Sequence, residues 1–326
     1  MRVGFGQFDQ PTPQYFRFAA QYGATDILMN FNRGTPFPSL GGCWELTDLV
    51  KLRISAEQYG LKFSAIENVP AHFYDHIMLG GPRRDQQIEN MIYTVRNIAR
   101  AGIPIFGYNW MPSMVWRTTP QHIRCGALAT AFDYEEAKKA PMTHGRVYSE
   151  DEMWENLEYW IKIITPVAEE EGIRLGIHPC DPPVEQLGGV PQLLRSFDSY
   201  KRLINIVESP SNAIEFCQGT FSEMEGDDIY EMIRYFGERG KILYVHFRNV
   251  SDQVPKFHEE FINTGYVDMY KAMTIYQDVG FDGFFIDDHV PNTYQDTEWG
   301  HRGRAFANGY IQGLIEAVAK GSQRPL

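Results

Sequence analysis

Four residues of metal-binding type lie at the ends of successive apolar segments in the second half of the chain. They are His178, Cys217, His246 and Asp288. A lone cysteine usually behaves as a small apolar residue, and a lone buried histidine is usually structural. Four such residues at equivalent places favour a shared site, because two imidazoles, a thiolate and a carboxylate suit Zn(II), Fe(II) or Mn(II). The thiol would bind as a thiolate, with its pKa lowered by the ion.

Other polar residues at similar positions are candidates for contacts with a substrate. Glu67 ends the third apolar segment, and Trp110 and Asn249 end the fourth and seventh. Arg117 and Arg248 are the cations best placed for an anionic group on a substrate. Either arginine could equally belong to a structural ion pair.

The elements that would position these residues alternate between two types. Short apolar segments rich in β-forming residues occupy 3–8, 26–30, 62–67, 103–110, 174–179, 212–219, 242–249 and 283–289. Such segments, bounded by Gly, Pro or polar residues, are typical of buried parallel strands. Helical spacing predicts helices between them, at 44–59, 85–101, 149–171, 196–207, 227–238, 267–278 and 302–319. Ser149 and Glu152 form a capping-box pattern at the start of the third of these helices.

The alternation predicts an α/β fold, a (β/α)8 TIM barrel formed as a single domain by residues 1–326. A doubly wound sheet is the main alternative, but the sequence has neither a GxGxxG nor a Walker motif. Catalytic residues of such barrels lie at the carboxyl ends of the strands, which is where the candidate ligands fall. Residues 111–145 form a long irregular insertion after strand four. We expect a lid over the site, with a mobile surface insertion as the alternative.

Composition narrows the classes of partner. The chain of 326 residues has a net charge of −12, which disfavours a nucleic-acid-binding surface. No apolar run is long enough to span a bilayer, and residues 1–10 lack a signal-peptide core. Four cysteines without a CxxC pair do not form a disulfide scaffold. We expect a cytoplasmic homo-oligomer that binds neither nucleic acid nor membrane.

The strand-end phrases resemble those of the mannonate dehydratase family, in the same order and over nearly the whole chain. The matching phrases are 108–112 (YNWMP), 116–118 (WRT), 177–183 (IHPCDPP), 216–220 (FCQGT), 246–250 (HFRNV) and 288–291 (DHVP). The resemblance implies a xylose-isomerase-like barrel that uses Mn(II) or Fe(II) to dehydrate D-mannonate to 2-dehydro-3-deoxy-D-gluconate in hexuronate breakdown. It also implies that His178, Cys217, His246 and Asp288 are the metal ligands and that His289 is catalytic.

Three positions depart from the family pattern. Cys180 replaces an acidic residue beside a ligand, and Ile286-Asp287 stands where Arg-Pro is frequent. Trp299 aligns with a catalytic tyrosine of the family, and its indole has no phenolic proton to donate. Tyr294 and His301 are the candidate replacements for that tyrosine.

The expected reaction is acid–base chemistry on a sugar acid. A base removes the proton on C2, which lies next to the carboxylate, and an acid protonates the departing C3 hydroxyl. His289 is a candidate for one role because imidazole titrates near neutral pH. The alternatives are a metal-dependent sugar isomerase or epimerase, a dehydratase of another aldonate, and a non-catalytic barrel that binds a sugar acid.

Overall fold

Eight parallel strands close into a barrel in the computed structural model, which describes residues 1–8, 10–32 and 34–321. Each strand pairs with its neighbours in chain order, and β8 pairs with β1. The strands are β1 (Arg2–Phe8), β2 (Asp26–Asn30), β3 (Lys62–Glu67), β4 (Ile105–Asn109), β5 (Arg174–His178), β6 (Asn212–Cys217), β7 (Ile242–His246) and β8 (Phe284–Ile286). The predicted TIM barrel and all eight of its strand segments are confirmed, although several strands are shorter than expected.

Eight main helices of the described residues surround the barrel. They are α1 (Pro13–Gln21), α2 (Leu46–Glu57), α3 (Arg84–Arg100), α4 (Glu150–Glu171), α5 (Phe197–Ile206), α6 (Ile229–Glu238), α7 (Met269–Asp278) and α8 (His301–Gly321). Seven of them were predicted to within two residues of their ends. The pattern did not predict α1, a short helix that buries only Phe16 and Ala19 and begins at the Thr12 cap. No helix in the described ranges combines the length and hydropathy needed to cross a membrane.

Capping confirms the predicted start and end of α4. The Ser149 side chain accepts a hydrogen bond from the backbone N–H of Glu152 at 3.2 Å. Gly172 follows the helix with φ of 70°, a left-handed conformation in which a residue with a Cβ would be strained. The helix therefore ends directly before β5, whose last residue is a candidate ligand.

The barrel interior changes from apolar to polar along the strands. Its lower layers are formed by Leu28, Ala65, Ala213, Leu243, Tyr244, Phe284 and Ile286. Alternation along β6 directs Ala213, Glu215 and Cys217 inward, while Ile214 and Phe216 pack in the layer beneath the helices. The polar interior residues thus lie towards the carboxyl ends of the strands.

The insertion at 111–145 is more regular than expected. It contains short strands at Gln121–Ile123, Ala127–Ala129 and Ala131–Asp133, and a short helix at Tyr134–Ala137. Ala131–Asp133 pairs antiparallel with a strand at Lys256–His258 in the loop after β7. The prediction of an irregular segment was wrong. Gln121–Ile123 and Ala127–Ala129 form a local antiparallel hairpin, and the pairing with Lys256–His258 joins residues far apart in the sequence.

Smaller elements complete the loops around the barrel. A hairpin of Gln186–Leu187 and Val190–Pro191 lies in the loop after β5. Short helices lie at Asp75–Met78 and Gln218–Glu223, the second directly after β6. Single turns of 3-10 helix occur at Leu40–Gly42, Ala71–Phe73 and Arg124–Gly126.

Candidate active site

The strand ends bring the four predicted metal ligands together at the barrel mouth. Candidate ligand atoms of His178, Cys217 and His246 all lie within 4.8 Å of one another, and all three residues are buried. Asp288 Oδ2 lies 3.7 Å from Nδ1 of His246. We call these four residues the ligand cluster. Their side chains supply the nitrogen, sulfur and oxygen donors that a divalent transition metal prefers.

Local packing explains why Asp288 faces the site while its neighbour does not. Asp287 is fully buried and its Oδ2 lies 2.5 Å from Nη1 of Arg304 on α8. This pair fixes the chain directly after β8, so the next carboxylate turns to the mouth. His289 then adopts φ of 44°, a left-handed conformation that is uncommon for a residue with a side chain. Its imidazole is 28% exposed and has Nε2 3.7 Å from Asp288 Oδ2.

The two histidines of the ligand cluster are held through different ring nitrogens. Nδ1 of His178 lies 2.7 Å from the carbonyl oxygen of Pro179. Nε2 of His246 instead lies 2.8 Å from Oε2 of Glu67, a carboxylate at the end of β3. Such outer partners orient a metal-binding imidazole and determine which nitrogen faces the ion.

The two buried cysteines, Cys217 and Cys180, differ in the direction in which their surroundings shift the thiol pKa. Burial disfavours the Cys217 thiolate, but the charges of Arg248 and His178 and a hydrogen bond from His178 hold its pKa well below the usual value. The Thr220 hydroxyl also donates to its sulfur at 3.2 Å. Burial raises the pKa of the Cys180 thiol to about 12, and its sulfur lies 3.9 Å from the Trp110 carbonyl oxygen. Cys217 thus has the character of a ligand, and Cys180 that of a core residue.

The pKa shifts of Asp288 and His178 also favour the charged forms of both groups. Burial would lower the pKa of His178, but the Cys217 thiolate raises it to about 9. Burial opposes ionisation of Asp288, yet His289, His246 and Arg248 hold its pKa well below the usual value. The cluster therefore holds its acidic groups charged, as cation ligands must be.

A small cavity of about 70 Å³, open at its mouth, lies against the ligand cluster. Five of the predicted site residues line it: Glu67, His178, His246, Asp288 and His289. Sequence reasoning missed the others, which are Gln7, Asn30, Asn32, Asn68, Asn109, Met111, Val115 and Asp181. Gln7, Asn30 and Asn109 lie at or next to the ends of β1, β2 and β4. The strand-end criterion that selected the metal ligands would have found these amides as well.

Arg117 and Arg248 occur in a buried network of ion pairs, which was the structural alternative for both. Arg117 pairs with Asp181 at 2.5 Å and with Glu259 at 2.8 Å. Arg248 is 2% exposed and pairs with Glu223 at 2.8 Å, Glu259 at 2.9 Å and Asp181 at 3.1 Å. We call these five residues the arginine cluster. Their guanidinium groups face protein carboxylates and neither residue lines the cavity, which is the structural alternative; a contact with substrate stays a prediction for both.

Four other predicted residues also lie outside the cavity lining. The Asn249 amide donates to the backbone carbonyl of Val267 at 2.9 Å, and Trp110 is almost fully buried. Tyr294 is 81% exposed, and His301 packs edge-on against Trp299 with ring centroids 4.7 Å apart. The structure therefore does not bring these side chains to the ligand cluster.

Trp299 has a structural position behind the cavity wall. Its indole stacks on Phe8 with ring centroids 5.1 Å apart and contacts Tyr15 at 4.8 Å. The indole Nε1 donates to the backbone carbonyl of Gln7 at 3.2 Å, and Gln7 itself lines the cavity. Trp299 thus supports the end of β1.

Comparisons with known proteins agree with the site. A family model described as D-mannonate dehydratase (UxuA) matches residues 5–149 and 138–325. A mannonate dehydratase of Streptococcus uberis is 33% identical over 315 residues, which cover 87% of this chain and 90% of that protein. The crystal structure of mannonate dehydratase from Streptococcus suis serotype 2 superposes with a TM-score of 0.89 at 28% identity, covering 99% of this chain and 96% of that one.

More distant structures share the fold alone. A xylose isomerase domain protein from Alicyclobacillus acidocaldarius has a TM-score of 0.67 at 14% identity, and the match covers 98% of this chain and 100% of that one. The barrel is therefore of the xylose-isomerase-like type. Since the family model covers most of the sequence and the S. uberis relative exceeds 30% identity, the chain belongs to the D-mannonate dehydratase (UxuA) family.

Proposed function

We propose that the chain dehydrates D-mannonate to 2-dehydro-3-deoxy-D-gluconate. The observation that carries this proposal is that His178, His246, Asp288 and His289 line one cavity, in a chain of this family. Cys217 is buried beside the first two. A thiolate donor disfavours the isomerase alternative, because such enzymes commonly use a carboxylate-rich site. The family implies a small sugar acid as the substrate.

The ligand cluster fits a divalent ion. His178, Cys217, His246 and Asp288 would hold it, and Nδ1 of His246 has no hydrogen-bond partner among the described residues. We infer Mn(II) or Fe(II) as the ion, with Zn(II) as the alternative that the same donors accept. When bound, the ion supplies positive charge to the substrate carboxylate or an adjacent hydroxyl.

His289 is the proton-transfer residue that we propose. It is the one imidazole of the described cavity lining that does not belong to the ligand cluster. Its ring takes the proton from C2 and returns a proton to the C3 hydroxyl, which leaves as water. The resulting enol tautomerises to the 2-keto-3-deoxy acid, which balances the reaction. Tyr294 and His301 have no part in this scheme because neither lines the cavity.

Amide side chains are suited to orient the remaining hydroxyls of the sugar acid. Gln7, Asn30, Asn32, Asn68 and Asn109 supply both donors and acceptors along the cavity wall. Met111 and Val115 belong to the insertion at 111–145, which thus contributes to the same wall. We infer that the insertion is a cover of this cavity, docked against the loop after β7.

The direct test is an assay of keto-acid formation from D-mannonate after loading the protein with Mn(II), Fe(II) or Zn(II). We expect product with Mn(II) or Fe(II), and little from D-gluconate, which differs only in configuration at C2. Turnover of another aldonate alone would overturn the choice of substrate. An isomeric sugar as product would indicate an isomerase, and binding without product would indicate a sugar-acid-binding barrel. Light scattering of the same preparation tests homo-oligomerisation, which stays a prediction.

A further inference from the structure

His246 presents its two ring nitrogens to different surroundings. Nδ1 faces Asp288 Oδ2 at 3.7 Å and has no hydrogen-bond partner among the described residues. Nε2 lies 2.8 Å from Oε2 of Glu67, within hydrogen-bond distance. His246 and Glu67 are 1% and 4% exposed at their side chains, so water competes little for this contact.

Glu67 is itself fixed by neighbouring amides. Asn30 donates to its Oε1 at 2.7 Å and Gln7 donates to the same oxygen at 3.2 Å. Oε2 is thereby left for His246. The two amide contacts on Oε1 and the His246 contact on Oε2 give the Glu67 carboxylate a defined orientation.

We propose that Glu67 is a positioning residue for the metal site, which accepts Nε2–H of His246 and so directs Nδ1 towards the ion. This rests on the proposed function only in taking the ligand cluster as the metal site. A carboxylate behind a metal-bound imidazole fixes its tautomer and ring orientation and raises its basicity. His178 has only the neutral carbonyl of Pro179 in the equivalent place. Of the two histidines, only His246 thus has a carboxylate as its outer partner. Glu67 acts on the metal site through His246, although it also borders the cavity.

Glu215 is a nearby carboxylate that provides a matched control. Its Oε1 lies 3.3 Å from Nε2 of His246, and its carboxyl group also interacts with the Tyr244 hydroxyl. Gly107 on β4 makes the space for it, since a Cβ there would lie 2.6 Å from Glu215 Oε2 and would overlap the Tyr244 hydroxyl. A single N–H donates well to one acceptor, and the shorter contact is with Glu67.

The experiment measures Mn(II) affinity by chelator competition in the wild-type protein and in Glu67→Gln, Glu67→Ala and Glu215→Gln. We expect about tenfold weaker binding for Glu67→Gln, whose amide oxygen still accepts a hydrogen bond. Glu67→Ala removes the acceptor and is expected to weaken binding by about 100-fold. Glu215→Gln is expected to stay within about threefold of the wild type, because it leaves the Glu67 contact intact.

Controls separate a positioning role from a loss of structure. Thermal unfolding of the metal-free variants checks that each one folds. General destabilisation would not be expected to weaken Mn(II) binding in two steps, first in Glu67→Gln and further in Glu67→Ala. Unchanged affinity in Glu67→Ala, or an equal loss in Glu215→Gln, would overturn the proposal. So would two Mn(II) per chain with one lost in Glu215→Gln, since Glu67, Glu215 and His246 would then bind a cation themselves. None of these readouts depends on turnover of mannonate.

Discussion

Two buried polar clusters lie side by side at the barrel mouth and differ in how their charges are satisfied. In the arginine cluster, each guanidinium pairs with at least two carboxylates at 3.1 Å or less. In the ligand cluster, Nδ1 of His246 has no hydrogen-bond partner among the described residues and lies 3.7 Å from Asp288 Oδ2, and His246 and Asp288 border the cavity. Internal pairing stabilises the loops, whereas donors that the protein leaves unpaired are free for an ion.

The two fully buried cysteines show the same difference on a smaller scale. Both have no exposed surface, yet the pKa of Cys217 lies well below the usual value and that of Cys180 is raised to about 12. For both thiols burial favours the neutral form, and only Cys217 has Arg248 and His178 as compensating charges. Burial alone therefore does not determine the chemistry of a cysteine here.

The largest effect is expected from exchanging these two cysteines for alanine. Cys217→Ala removes the thiolate donor, so bound metal and keto-acid formation should both fall below detection. Cys180→Ala removes a sulfur that only fills the core, so metal content should be unchanged and the free energy of unfolding should fall by about 1–2 kcal/mol. Metal analysis and denaturant unfolding measure both outcomes. Loss of metal in Cys180→Ala would contradict the distinction.

His289→Ala is expected to lower kcat by about 10²–10⁴-fold, the usual contribution of a general acid–base residue. Metal binding should be retained because His289 lies beside the ligand cluster and is not a member of it. Single-turnover assays on Mn(II)-loaded protein, with metal content determined in the same sample, measure the two properties. Wild-type kcat in this variant would remove His289 from the mechanism.

Arg117→Met tests the arginine cluster. It leaves Asp181 and Glu259 buried with fewer cations, and we expect a loss of about 3–5 kcal/mol in the free energy of unfolding near pH 7. Burial disfavours ionised Asp181, but Arg117 and Arg248 hold its pKa well below the usual value. A carboxyl with a lowered folded-state pKa stabilises the fold above its unfolded pKa of about 4, and this contribution is lost as the pH falls further.

The deficit of Arg117→Met should therefore be full above about pH 4 and should narrow below it. Denaturant unfolding of both proteins across this range measures it. Arg100→Met provides a matched control, because Arg100 pairs with Glu171 on the exposed surface and its replacement should matter little. A deficit of Arg117→Met that widens in acid would contradict the assigned pairing.

The smallest effect is expected for Tyr294→Phe. The Tyr294 side chain is 81% exposed and lies outside the cavity lining, so removing its hydroxyl should leave kcat and the stability unchanged within error. Steady-state assays and thermal unfolding measure this. A large fall in kcat would restore Tyr294 as the replacement for the family tyrosine.

The barrel and the ligand cluster could be predicted from the sequence because both follow from local patterns. The strand segments are short and apolar. His178, Cys217 and His246 are the last residues of their strands, and Asp288 follows the end of β8 by two residues. Parallel strands place those ends at one rim, so no knowledge of distant contacts was needed.

The ion-pair partners of the arginines could not be predicted in the same way. Arg117 pairs with Asp181 and Glu259, which lie 64 and 142 residues further along the chain. Whether an arginine binds a substrate or pairs with a protein carboxylate depends on where such distant loops fold. The pairing of Ala131–Asp133 with Lys256–His258 escaped prediction for the same reason.

The backbone contacts of the insertion couple the loops that follow different strands. Leu128 and Asn292 exchange two backbone hydrogen bonds, of 3.0 and 2.8 Å, which join the insertion to the loop after β8. Phe132 faces Phe257 in the strand pair with the loop after β7. Exchange of one of these loops for that of a homologue would leave backbone N–H and C=O groups of the others unpaired. A chimaera with altered substrate preference would therefore have to carry all three loops together.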